Sequence, residues 1–204
     1  MIFIRNSPGN FSKVLLELII FERKLEKIMK PYSLTSKILL IFTSASGALW
    51  LGSYTVKLFS FFNLFDLDPN NSLILKSTLI NVDMKPVIFE LLPVLTISLS
   101  SYIIFIASGL LFLFISKVNL KENGWLFIIL MIVLFCLPFE IYLSLKDYKL
   151  IMMIINNTSD SSGMVEIIKS RITVLSSFPI VALILHYSLF ILVVFRPLTK
   201  KNLK

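Results

Sequence analysis

Four stretches of this chain contain no Asp, Glu, Lys or Arg: residues 38–56, 91–116, 123–139 and 172–195, which are 19, 26, 17 and 24 residues long. Crossing roughly 30 Å of hydrocarbon takes about 20 mostly apolar residues. A helix satisfies its own backbone polar groups there, which an open strand or an irregular segment does not. The pattern predicts an all-α integral membrane protein, a bundle of four transmembrane helices at about 38–62, 88–116, 125–145 and 172–195. Composition agrees, with 56% hydrophobic and 16% charged residues, where a soluble domain carries about 25% charged. The expected organisation is a cytoplasmic lead-in at 1–37, a transmembrane domain at 38–196 with outer loops at 63–87 and 146–171, and a basic cytoplasmic tail at 197–204.

Positive charge sets the expected orientation. The lead-in, the 117–124 turn and the tail together hold 13 Lys and Arg residues, against 6 in the two other loops. Loops rich in Lys and Arg stay cytoplasmic, so both termini are expected inside a plasma or bacterial inner membrane. The net charge of +8 belongs to this bias, and nucleic acid is not an expected partner. Within the lead-in, residues 12–30 place Val14, Leu18, Phe21, Leu25 and Ile28 on one helical face with lysines around it. That pattern predicts an amphipathic helix lying on the inner leaflet. The rival reading is that Met29 is an ordinary start and residues 1–28 an upstream extension.

Small and polar residues add detail. Ser44, Ala48 and Gly52 recur every four residues on span one, a spacing that lets helix backbones approach in lipid, most simply within the chain. The first loop opens on the turn signal Asp68-Pro69-Asn70-Asn71. An alternation over Thr78–Lys85 then permits a short strand that Pro86 ends. Asp66–Asn70 looks like the start of a calcium loop, but Asn71 and Ser77 stand where that motif needs Gly and Glu. Pro138 is expected to bend span three and Pro179 to kink span four. Met164–Ile168 are expected to be the first turns leading into span four.

The counts also exclude chemistry. A single cysteine, Cys136, forbids an intrachain disulfide, and a single histidine, His186, forbids a multi-histidine metal cluster. No phosphate-binding glycine loop is present, and no nucleophile–base set emerges. No catalytic residue, metal site or cofactor is therefore assigned.

Ionisable residues inside spans are costly, so each is a candidate for function. Lys57, Glu90 and Glu140 should lie at similar depth toward the outer face, where Lys57 can pair with either carboxylate and leave the other for a ligand or proton. The plainer reading is that all three reach the interface or pair for stability. His186 lies deeper, and a bond to Tyr102 across spans two and four would satisfy both groups. The leading functional expectation is a non-enzymatic membrane subunit or scaffold, with the lipid bilayer and a protein partner or second copy as its contacts. The alternative is a small oligomeric transporter or channel using Glu90, Glu140 and Lys57. A lipid-modifying enzyme is third.

Overall fold

A computed structural model of the chain describes residues 33–70, 72–158, 160–175 and 177–198, with Leu16 alone before them. The amphipathic helix expected at 12–30 and the end of the basic tail lie outside the described residues. Helix α1 (Leu34–Phe62) starts at Ser33, whose hydroxyl accepts the Ser36 amide at 3.2 Å, satisfying one of the donors left open in a first turn. After Asn63 the chain forms a hairpin of β1 (Phe65–Leu67) and β2 (Leu73–Leu75), antiparallel, with Phe65 opposite Leu75 and Asp66 opposite Ile74. A 3-10 turn at Ser77–Leu79 leads to α2 (Met84–Phe89). Four further helices or helix pairs complete the chain: α3 (Leu92–Ser116), α4 (Gly124–Ile155), α5 (Ser161–Thr173) and α6 (Phe178–Phe195).

The protein is mostly helical, and four helical segments, Leu34–Phe62, Met84–Ser116, Gly124–Ile155 and Phe178–Phe195, are long and apolar enough to cross a membrane. Several boundaries differ from the expectation. The strand expected at Thr78–Lys85 is not formed. Its first residues make the 3-10 turn, and Asp83 caps α2 by accepting the Lys85 amide at 3.1 Å. Pro86 sits in the first turn of that helix, where its missing N–H costs least. The strands form earlier, on either side of the predicted turn, which closes through the Asp68 amide to the Ser72 carbonyl at 2.9 Å.

The third span is longer than expected. It continues past Leu145 to Ile155, giving a helix of about 48 Å. Lys146, Asp147 and Lys149 do not end it, because Leu150, Ile151 and Ile154 carry the same buried face onward. Pro138 lies inside it. Met164–Ile168 belong to the separate helix α5, capped by Asp160, which accepts the Gly163 amide at 2.8 Å. That bond foremost, with one from the Ser162 hydroxyl, holds the Asp160 carboxyl below the usual aspartate range. The fourth span starts at Phe178, not at residue 172, and Pro179 stands in its first turn instead of kinking it. Proline at this position lacks only an N–H that has no partner in a first turn, so it starts the helix instead of bending it.

Two cores result. In the bundle, Trp50, Leu51, Tyr54 and Leu58 of α1 pack with Tyr102 of α3. At one end, Phe61, Leu64, Phe65, Met84 and Ile88 pack with the far turns of α4 and with Met164, Ile168 and Ile172 of α5. The hairpin, α2, α5 and the extension of α4 thus form a packed cap over one end of the bundle. The opposite end carries the 117–124 turn and residues 196–198, joined by the Gly124 amide to the Leu198 carbonyl at 3.2 Å. A Cβ on Gly124 would meet the Leu198 Cβ at 2.8 Å, so this contact depends on glycine.

Candidate functional site

The cap and the bundle meet at a cluster of buried charge. On α1 the buried face runs Trp50, Tyr54, Lys57, Leu58, Phe61, the 3–4 spacing of one helical stripe, with Lys57 set among apolar neighbours. On α4 the buried face runs Cys136, Glu140, Leu143, Asp147, Leu150, Ile154, at steps of three and four. On α5 it runs Met164, Ile168, Arg171, Ile172. The three stripes converge, and their charged members come together.

Asp147 is the centre. Its Oδ2 accepts from Lys57 Nζ at 2.7 Å and its Oδ1 from Arg171 Nε at 2.5 Å. Lys57 Nζ also donates to Ser98 Oγ on α3 at 2.9 Å. Lys57, Asp147 and Arg171 are 2%, 3% and 1% exposed, so water does little to screen these pairs. Aromatic faces complete the shell. Lys57 Nζ lies 4.7 Å from the Tyr54 ring centre, and the Arg171 guanidinium lies over Tyr54 and Phe61 at 5.4 and 5.5 Å, in cation–π range. Burial opposes the Arg171 charge, but Asp147, Tyr54 and Glu140 together outweigh it and hold the guanidinium pKa above its usual value.

Glu140 lies two turns further into the bundle on the same face of α4, about 10 Å along the axis. It is buried, and its charge interacts with Arg171 and Lys57. Its carboxyl faces the Tyr54 hydroxyl, which in turn faces the Arg171 guanidinium, although the geometry of these contacts is looser than that of the bonds to Asp147. Glu140, Tyr54 and Arg171 thus belong to one polar cluster beside Asp147.

The residues singled out from sequence divide accordingly. Lys57 and Glu140 are brought together, but the partner of Lys57 is Asp147 and neither Glu90 nor Glu140. Glu90 is exposed, at the end of α2, away from the cluster. His186 is buried, and its Nδ1 lies 2.7 Å from the Ala182 carbonyl. A carbonyl only accepts, so the proton sits on Nδ1. The ring is edge-on to Trp50 at 4.6 Å. The expected bond to Tyr102 is not made; Trp50 packs against both residues, its ring tilted against Tyr102 at 4.9 Å. Ser44, Ala48 and Gly52 face outward, and nothing lies within 4 Å of a Cβ on Gly52. The packing expected there within the chain occurs instead at the neighbouring stripe. A Cβ on Gly47 would meet the Phe105 ring at 3.0 Å, and Thr43 Oγ1 donates to Ser108 Oγ at 3.0 Å.

Asp147, Arg171, Ser98 and Tyr54 were not singled out by sequence. Arg171 had a signal, standing at a buried position of an otherwise apolar helical face. Asp147 had one too, seven residues after Glu140. Among the described residues, no group of three or more His, Cys, Asp or Glu side chains is placed to hold a metal ion. No protein-family model, curated protein or solved structure matches the chain.

Proposed function

We propose that the protein is a non-enzymatic subunit or scaffold of a membrane complex, with both termini on the cytoplasmic side of a plasma or bacterial inner membrane. One observation carries this reading. The segments between the spans do not hang as loops but pack into a cap with its own apolar core, fixed to the bundle by the two ion pairs on Asp147. A rigid outer platform on a helical anchor suits a protein that holds others in place. The ionisable groups nearest to a coupling role are engaged with one another. The test is purification of the full chain in a mild detergent. Stoichiometric recovery of a protein partner, or a defined oligomer of the chain, is expected; a lone monodisperse monomer overturns the reading.

A second reading, a small transporter or channel, draws on the buried Glu140 beside Tyr54 and Arg171. A buried carboxylate in a low-dielectric site is where a transported proton would rest. Under this reading, Glu140→Gln abolishes proton flux into vesicles that carry a trapped pH-sensitive dye, while the folded protein accumulates normally. Equal flux with and without the substitution removes it.

A further inference from the structure

Helix α1 changes character at its cap end. Phe59 and Phe62 are 70% and 37% exposed, and then the helix gives way to Asn63 and the hairpin. An open groove of about 540 Å³ lies at this step, lined by Phe59, Phe62, Asn63, Asp66 and Lys76 among others. Its volume falls within the range of small-molecule sites. The hairpin register places Asp66 opposite Ile74, so Asp66 and Lys76 project from the same face as diagonal neighbours, about 7–8 Å apart on an ordinary ladder. The Lys76 amide bonds the Leu64 carbonyl at 3.1 Å, which extends that pairing.

The two charges line one groove yet do not pair. Lys76 Nζ donates to Asn63 Oδ1 at 2.8 Å, and among the described residues the ion pairs are the two on Asp147. An ammonium and a carboxylate are therefore held apart, beside exposed phenyl rings, where an apolar span ends. We propose that this groove binds the head group of a zwitterionic phospholipid. Its phosphate lies on Lys76, its ammonium on Asp66, and its acyl chains run along Phe59 and Phe62. Charge complementarity selects this occupant. A purely anionic head group sets its charge against Asp66, a free phosphate makes no use of the rings, and a phospholipid supplies the cation, anion and chains in the order found here.

The test uses the purified full chain in detergent, offered phosphatidylethanolamine or phosphatidylglycerol with identical acyl chains, with retained lipid read by native mass spectrometry. The wild-type protein is expected to retain phosphatidylethanolamine about two- to fivefold better, the scale of one exposed charge pair. Asp66→Asn removes that preference, and Lys76→Gln lowers retention of both lipids. Equal retention of the two lipids by the wild-type protein overturns the proposal, whatever the variants do. A preference that survives both substitutions overturns it too, since the selecting site then lies elsewhere.

Discussion

Asp147 accepts from two cations that come from two different helices, and this makes it the least replaceable side chain of the cluster. Asp147→Ala leaves Lys57 and Arg171 buried without the carboxylate that both are bonded to. Breaking such a pair costs about 3–5 kcal/mol, although an apolar set of the same shape can do as well as the intact pair. Lys57→Met leaves Arg171 still bonded to Asp147 and so removes only one of the two contacts. Denaturant unfolding in detergent should therefore show a loss of about 3–5 kcal/mol for Asp147→Ala and less than half of that for Lys57→Met. Equal losses would show that Asp147 is not shared in the way its two oxygens indicate. Lys57 and Glu140 were legible in the sequence because a lone charge within an apolar run stands out. Asp147 was hidden between Lys146 and Lys149, where a carboxylate reads as part of a solvated loop. His186 was legible as buried, but not its neighbour. Sequence position gives the depth of a residue along a span and says little about which helix it faces.

Helix packing shows the same gap one level up. The spans were readable from length and apolarity, because hydrocarbon thickness imposes a length that few other structures need. The contact faces were not. The stripe Ser44, Ala48, Gly52 and the true contact at Gly47 differ by one residue, about 100° around α1, and both contain small side chains. The Phe105 ring against Gly47 decides between them. Gly47→Val should push α1 from α3 and cost about 1–3 kcal/mol, the usual range for overpacking. Gly52→Ala, which meets open space and adds helix propensity, should not lower the melting temperature of the solubilised protein. A reversed order would place the close approach on the outward stripe. The elements least legible were α5 and the end of α4, since short apolar patches among charges carry no membrane signal. Their regularity comes from packing on each other.

For the whole molecule, the cap gathers at one end and the 117–124 turn with residues 196–198 at the other, so four crossings would put the two ends on opposite sides of a bilayer. Cys136 is fully buried, which leaves the native chain silent to a thiol reagent. Ser72→Cys at the hairpin and Asn119→Cys at the turn, both at exposed positions, should react with an impermeant maleimide from opposite faces of sealed vesicles. Labelling of both from one face would overturn the four-span arrangement. The pairing of Lys57 with Asp147 also fixes an order in time. The two residues are 90 positions apart, and Arg171 follows 24 later. A ribosome adds about 5–20 residues each second, so the first span waits on the order of 5–20 seconds for the carboxylate that neutralises its lysine. Through that interval Lys57 lacks the carboxylate it is bonded to in the finished fold, and a chain cut short before Asp147 lacks that ion pair altogether.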